Sequence, residues 1–573
     1  MKKFYSLFYG NEYLSNKKIE QIKTYYFDHF ENIKKRKYLL IIPNKRKFYF
    51  GYQNIDKLKV QNNNIYLEKK RKETDYFLSH IKGYSLDINQ RKCVLNEEEN
   101  LLVVAGAGSG KSLTIVAKIC YLIEYLGYKE NEILCISFTN ASSKSLEESI
   151  QKHYHYKIEV HTFHKLALSI LKDKNLKIAS PDLLDYLIEE FYHSIILRCP
   201  KLLEIVVQYF YPYQEGTIEQ YKMLLPQKKF LLFQRKIAQF IRLFKANQKE
   251  ESLLYSFLQK VFSKQEYQFL INVIVIWNLY KQELQSQKEI DFDDMILEAI
   301  TYLKENEIFL HYRYIIIDEY QDTSLLRCKL IQTLIAKTNA KIMAVGDDFQ
   351  SIYRFSGCDL NIFLNFQNYF PNPDILFITN TYRNSQELID IAGAFIMKNK
   401  SQIKKELHSN KKFYKPIKLV YYEDQKNAFL KLLTYLSQSN KKKILVLGRN
   451  RKDINPLLSP SITFQNNKYY YKNVEFQYMT VHQSKGLEEE CVILIHLENS
   501  TMGFPNKLEE DSIFRLLQSN ESFAYEEERR LFYVALTRTK NENYLLIPTK
   551  NESIFVKELK RDFSEKIENI SIK

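Results

Sequence analysis

Short apolar runs alternate with longer stretches in which apolar residues recur every three or four positions. The runs at 101–105, 133–137, 314–317 and 341–345 read as buried strands, each followed by a helical period. Strands that alternate with helices predict a parallel α/β sheet. A second series begins near 375, with strands expected at 417–421, 443–447, 477–481, 492–496 and 543–547. Between the two, about 165–290 keeps the helical period with almost no strand signal, which predicts an inserted helical subdomain. Residues 1–83 are rich in Lys and Tyr, with a helical pattern near 19–33 and short alternating runs near Phe48 and Ile65. They read as a small, basic accessory region.

Composition narrows this picture. A chain of 573 residues exceeds one compact core, and 45% hydrophobic residues suffice to fill several. The formal charge of +16 attracts polyanions, nucleic acid first among them. The abundance of Lys, Asn, Ile and Tyr also follows from an AT-rich coding sequence, so charge alone does not decide the partner. The cluster Lys69-Lys70-Arg71-Lys72 has the same two readings, a duplex contact or a solvated face. Seven cysteines lie scattered without a C-x-x-C pair, several inside apolar runs, as expected of buried thiols in a reducing compartment. Met1-Lys2-Lys3 opens no signal peptide, and no apolar run approaches the roughly 18 residues of a membrane span. A cytoplasmic protein with no membrane partner is expected.

Candidate chemistry starts at Ala105-Gly106-Ala107-Gly108-Ser109-Gly110-Lys111-Ser112, between an apolar strand and a helical run. Small residues there let backbone N–H groups face phosphate oxygens, Lys111 reaches the terminal phosphates and the Ser112 hydroxyl ligates Mg²⁺. Ala105 stands where the strict pattern has Gly. A second carboxylate site is expected on a neighbouring strand, and 314–317 ends in Asp318-Glu319. Asp318 is the expected Mg²⁺ ligand and Glu319 the residue that orients and activates water. ATP and Mg²⁺ are the cofactors this pairing requires.

The motifs continue in an order that resembles the UvrD/Rep helicases. Leu86-Asp87-Ile88-Asn89-Gln90 resembles the Q motif, Ser137-Phe138-Thr139-Asn140 motif Ia, and Val160-His161-Thr162-Phe163-His164 motif Ib. Asp318-Glu319-Tyr320-Gln321-Asp322 and Val345-Gly346-Asp347-Asp348-Phe349-Gln350-Ser351-Ile352-Tyr353 resemble motifs II and III. Thr381-Tyr382-Arg383 is similar to motif IV, 479–488 to motif V and 527–538 to motif VI. The resemblance covers roughly 84–548. Within the family, 346–357 and Ile403-Lys404-Lys405-Glu406-Leu407 resemble the helicase IV branch.

The resemblance implies two RecA-like P-loop motor lobes, each a parallel sheet flanked by helices. The first spans 84–360 with a 1B insertion at about 165–290, and the second spans 361–573. Rep-like enzymes insert a large 2B subdomain between motifs IV and V, but only about a hundred residues separate Arg383 from Thr480, so 2B is expected to be reduced or absent. Gln90 and Tyr382 are implied to recognise adenine, Glu488 the ribose and Gln350 the γ-phosphate. Arg383 and Arg538 are implied to be arginine fingers, catalytic with Lys111, Glu319 and Gln350. Phe138, Phe163, Phe292 and Phe355 are candidates for stacking on bases, and Thr139, Asn140, Thr162, His164, Thr480 and His482 for other DNA contacts. Two departures stand out: Phe355 occupies a position usually held by Trp, and Leu113 one often held by Arg.

The implied activity is an ATP-dependent 3′-to-5′ helicase or translocase on single-stranded DNA and single-strand/duplex junctions, serving repair or recombination and monomeric in isolation. Two alternatives stay open: a motor subunit of a larger antiphage-defence or transcription-associated complex, with weak activity alone, and a DNA-binding scaffold without turnover.

Overall fold

The computed structural model describes residues 2–172, 174, 176–195, 199–210, 220, 227–247, 251–261, 263–439, 443–507, 512–517 and 523–571. Strands are numbered in chain order. The first eight are β1 (Asn100–Ala105), β2 (Ile133–Ile136), β3 (Glu159–His161), β4 (Lys177–Ile178), β5 (Glu289–Ile290), β6 (Tyr314–Ile317), β7 (Lys341–Gly346) and β8 (Asp374–Ile378). Six of them form a sheet in the order β3-β2-β6-β7-β1-β8, every pair parallel. Alternate residues feed opposite cores: Leu102, Val104, Leu134 and Ile136 on one face, Leu101, Val103, Ile133 and Cys135 on the other. A strand buried on both faces reads as an unbroken apolar run, which is why the sequence shows these strands so plainly.

The pairing of β8 with β1 corrects the lobe boundary expected at 360/361, because the first sheet takes in residues through Ile378. The first lobe also retains the helix Phe163–Ile170, whose Phe163, Leu166 and Ala167 pack in its core. The helical insertion therefore starts later than 165. It is bracketed by the parallel pair β4–β5 and holds the helices Leu183–Glu190, Pro200–Phe210, Gln227–Ala246, Glu251–Phe257 and Lys264–Gln287 around an aromatic core that includes Phe233, Phe240, Phe244 and Phe269. Ile513, Phe514 and Leu517, from far along the chain, close onto that core.

The second sheet comprises β9 (Ile417–Tyr422), β10 (Lys443–Gly448), β11 (Thr463–Gln465), β12 (Lys468–Tyr471), β13 (Val474–Thr480), β14 (Glu489–Leu494), β15 (Thr539–Pro548) and β16 (Ile567–Asn569). Its order is β11-β12-β13-β10-β14-β15-β9-β16, parallel except for the β11–β12 and β12–β13 pairs. Among the described residues between Arg383 and Thr480 the α-helices are Gln386–Ile396 and Gln425–Gln438, and both pack into the cores of this sheet.

The N-terminal region is helical throughout its long elements: Asn16–Lys35, Pro43–Gln53 and Ile55–Glu73. The alternating runs near Phe48 and Ile65 are thus helical, not extended. Phe48, Gly51 and Ile55 are buried at the three-to-four-residue spacing of a helical stripe, and Asn62, Asn63 and Tyr66 repeat it. The region docks on the residues that precede β1. Ser15 Oγ donates to Glu99 at 2.8 Å, Asn16 N–H to Glu98 at 2.7 Å and the Tyr66 hydroxyl to Glu97 at 2.7 Å. Lys70 and Lys72 of the basic cluster pair with Glu73 and Glu68 on their own helix.

Candidate nucleotide and nucleic-acid site

The carboxyl ends of the first-sheet strands share one edge, and each delivers a candidate residue: the P-loop after β1, Phe138 after β2, Thr162 after β3, Asp318 after β6, Asp347 after β7 and Thr381–Arg383 after β8. In parallel α/β sheets this edge is where ligands bind. Gly108 and Gly110 adopt left-handed backbone (φ 69° and 77°), and the helix Lys111–Glu124 starts directly after Gly110. A side chain at Gly110 would meet Gln90 Nε2 at 2.6 Å, and one at Gly106 would meet Leu407 at 2.7 Å. The loop is also tied from outside. Thr381 Oγ1 donates to Ala107 O at 2.7 Å, Tyr382 N–H to Gly108 O at 2.9 Å and Gln90 Nε2 to Ser109 O at 3.0 Å. Fixing three carbonyls turns the N–H groups of the same trans peptides to the opposite side, as a phosphate cradle requires. The buried Ser109 hydroxyl has no partner within the protein.

Gln90 itself is buried, and its Oε1 accepts from Asp87 N–H at 3.0 Å in a capping box, so both ends of its amide are engaged by protein. Tyr382, half-exposed, donates to Asp87 at 2.8 Å beside it.

Lys111 Nζ lies 3.4 Å from Glu319 Oε1, and Lys485 of the second lobe lies 3.8 Å from Glu319 Oε2. Burial alone would raise the Glu319 carboxyl, but Lys111 and Lys485 hold it down at about 2. Burial, reinforced by neighbouring Glu319, pushes Asp318 up to about 6. The site thus holds one firmly ionised carboxylate next to one whose charge is destabilised until a cation arrives. Glu319 also sits in left-handed backbone (φ 52°), a conformation that costs a non-glycine residue roughly 1–3 kcal/mol and recurs at functional sites.

The second lobe closes over this pair. Arg383 Nε donates to Glu488 at 2.6 Å, and Lys540 lies 3.1 Å from the same carboxylate. Buried Arg538 donates through Nη2 to Gln350 Oε1 at 3.0 Å and through Nη1 to Leu487 O at 3.3 Å. Burial, then the charge of Arg383, lowers its guanidinium to about 9, still charged at neutral pH.

Beyond Gln350 runs a strip of rings. Phe138 stacks on Tyr353 with centroids 5.5 Å apart and planes at 17°, Tyr353 meets Phe355 at 6.0 Å, and Phe355 meets His482 edge-on at 5.6 Å. Phe292 and His164 form a second pair at 5.1 Å. Phe292 and Phe355 are exposed. Thr139 caps the helix Asn140–Tyr154 and Thr162 caps Phe163–Ile170, which brings two helix N-termini, natural phosphate sites, to this edge. Thr480 shares Gln483 Oε1 between its backbone N–H and its hydroxyl. Phe163 is a correction to the stacking candidates: it is 5% exposed and packs in the first-lobe core, so its face is closed to a base.

Residues 86–371 match the UvrD/REP helicase N-terminal domain, and residues 463–550 match the UvrD-like helicase C-terminal domain. The chain belongs to the UvrD/Rep helicase family. DNA helicase IV of Escherichia coli (strain K12) is 28% identical over 530 residues, 90% of this chain and 76% of that protein. The ATP-dependent DNA helicase Rep of Buchnera aphidicola subsp. Acyrthosiphon pisum (strain APS) is 30% identical over 373 residues, 63% and 53% of the two chains. A probable DNA helicase II homolog of Mycoplasma capricolum subsp. capricolum is 29% identical over 377 residues, 64% and 48%. The chain thus spans about three quarters of the first relative and about half of the other two.

Within this UvrD/Rep frame, several residues at the site are not legible in the sequence. Tyr353 joins the ring strip, and Arg327 lies over Phe138 at 5.0 Å. Lys485 pairs with Asp322 and donates to Gln350 O at 2.8 Å, while Lys405 pairs with Asp347 and Asp348. Tyr353, Lys405 and Lys485 lie inside motifs, but their roles depend on partners distant in sequence. Among the described residues no three His, Cys, Asp or Glu side chains are clustered to hold a metal unaided. Mg²⁺ needs only one or two protein oxygens and completes its shell with phosphate and water, and Asp318 and exposed Ser112 are the residues that could provide them. No helix among the described residues is long and apolar enough to cross a membrane.

Proposed function

We propose that the chain is an ATP-driven motor that moves 3′-to-5′ along single-stranded DNA and separates strands at junctions, in repair or recombination. The observation that carries this reading is the Arg538–Gln350 bond at 3.0 Å, which joins a second-lobe arginine to the turn after the first-lobe strand β7, three residues before Tyr353 of the ring strip. A bond made or broken at the nucleotide is thereby felt at the rings.

The P-loop and Lys111 hold the terminal phosphates of ATP. Glu319, kept ionised by its two lysines, accepts the proton of the attacking water. Arg383 and Arg538 neutralise charge that builds on the γ-phosphate, an effect worth roughly 10³ to 10⁵ in rate for an arginine finger. Mg²⁺, held by Ser112 and Asp318, would add neutralisation of the β- and γ-oxygens. Tyr382 stacks on adenine and Glu488 accepts from the ribose. Bases stack on Phe138, Tyr353, Phe355 and Phe292, contacts that tolerate any sequence. Thr139, Asn140, Thr162, His164, Thr480 and His482 position the strand. Among the described residues between Arg383 and Thr480 the two α-helices are both absorbed into the second lobe, which supports a reduced or absent 2B.

Duplexes with a 3′ or a 5′ single-stranded tail test this directly. ATP-dependent opening of the 3′-tailed substrate alone is the expected result, abolished by Lys111→Ala; opening from a 5′ tail, or without ATP, would contradict it.

A further inference from the structure

Residues 399–409 return from the second lobe to pass beneath the P-loop, and none of the nucleotide or DNA contacts assigned above falls on them. Their path is closely held. His408 N–H donates to Thr379 O at 2.9 Å, Thr381 N–H donates back to His408 O at 2.8 Å, and Ile403 N–H donates to Asp348 Oδ2 at 2.8 Å. Leu407 fills the space a side chain at Gly106 would need. Between these ties the Lys405 side chain is 1% exposed, its ammonium 2.5 Å from Asp347 Oδ1, 2.6 Å from Asp348 Oδ1 and 3.5 Å from Ala105 O, with the Phe349 ring centroid 3.8 Å away.

Asp347 divides its carboxylate. Oδ1 takes the Lys405 ammonium and Oδ2 takes Gln350 Nε2 at 2.6 Å. An ionised carboxylate only accepts hydrogen bonds, so it dictates which end of the Gln350 amide faces it. With Nε2 committed to Asp347, Oε1 faces Arg538, which it meets at 3.0 Å. If the amide turned over, it would present N–H to a guanidinium, donor against donor. Asp347 keeps that control only while its carboxylate plane stays fixed, and Lys405 is its bonded cation.

We propose that Lys405 is a positioning residue for hydrolysis: through Asp347 it fixes the orientation of the Gln350 amide and so aligns Arg538 on the terminal phosphate. The inference rests on the proposed motor function. A buried ion group that only staples the fold is the competing account, and such groups contribute little net stability over an apolar replacement. The two accounts differ in one respect: a positioning role acts through Gln350, whereas a staple does not.

A double-mutant cycle on the full chain separates them. The paired substitution Lys405→Met with Asp348→Asn removes one charge of each sign, so the buried site keeps its net charge while Asp347 loses its cation. Steady-state ATP turnover with saturating single-stranded DNA is measured for this pair in the wild-type and the Gln350→Ala backgrounds, with thermal melting as the check on folding. The expected result is a kcat about ten-fold or more lower, a KM for ATP changed less than about two-fold, and a loss of less than about two-fold where Gln350 is already Ala. Equal fold losses in both backgrounds, a change confined to KM, or full activity would overturn the proposal. Should the pair not fold, Lys405→Arg, which keeps the charge in a bulkier planar head, is run through the same cycle with the same criteria. A wild-type chain without DNA-stimulated turnover would instead sink the motor function, and the relay with it.

Discussion

The nucleotide cleft and the ring strip meet at residues 350–353, yet they are built on opposite principles. In the cleft charged groups are paired, within a lobe at Lys111–Glu319 and Arg383–Glu488 and between the lobes at Lys405–Asp347 and Lys485–Asp322. Along the strip the rings themselves are neutral, with the Arg327 guanidinium over Phe138 and the Lys485 ammonium over Tyr353 as flanking cations. Phe355 and Phe292 stand exposed, and burial holds His482 down at about 3 and His164 at about 4, so both imidazoles are uncharged at physiological pH. A site that must sense the loss of one phosphate gains from preorganised charge in a dry cleft. A track that must release every base it passes gains from stacking, which is sequence-blind and modest per contact.

This contrast can be broken in several ways. Arg538→Ala is expected to lower DNA-stimulated ATP turnover by about 10³-fold or more while single-stranded DNA affinity, read by fluorescence anisotropy, stays within a few-fold. A matching loss of DNA affinity would mean that the two regions are not separate functions. Next in size, Phe163→Ala should cost about 3–5 kcal/mol of stability in denaturant melts, because its ring is core. Phe355→Ala should leave the melt unchanged and weaken single-stranded DNA binding by about 1–3 kcal/mol. If the two exchanged phenotypes, the assignment of core and track would be wrong.

The smallest effect is the most diagnostic of charge. The Asp318 carboxyl sits near 6 in the free protein and must ionise to hold a cation, so acidification disfavours the competent form. Between pH 7.5 and 5.5 the KM for Mg–ATP should rise about four-fold. Affinity for DNA should stay flat over that window, since His164 and His482 titrate below it. For stability the sign is also set: a histidine whose folded value lies below its unfolded value favours the neutral form. These two therefore support folding above about 6.5, and that support shrinks as pH falls toward 4. A DNA affinity that tracked the KM would show that the strip is charged after all.

Most of the cleft is legible in the sequence, because its chemistry is local along the chain. Lys111 and Ser112 follow a glycine loop, Asp318 and Glu319 end an apolar strand, and Arg538 closes a motif that resemblance alone identifies. Strands buried on both faces are equally plain. What stays hidden are residues whose meaning comes from partners far along the chain. Lys405 is an ordinary lysine until it is seen under the P-loop, and Lys485 until it reaches Asp322. Phe163 misleads in the other direction, since a motif can carry a ring into the core as readily as onto a track. In the N-terminal region Phe48 and Ile65 sit in runs too short for alternation to be told from a helical stripe, and only the burial of Gly51, Ile55 and Tyr66 settles the period. The lobe boundary falls later than the sequence suggests because β8 is half-exposed at the edge of its sheet and lacks the unbroken apolar signature of β1.

The most direct test of the central claim, that Gln350 links the charged cleft to the ring strip, is steady-state ATP turnover of the wild type and of Gln350→Ala, each with and without single-stranded DNA. Strong stimulation by DNA in the wild type and little in the variant, with DNA affinity retained, is the expected result. Stimulation that survives the loss of Gln350 intact would contradict it.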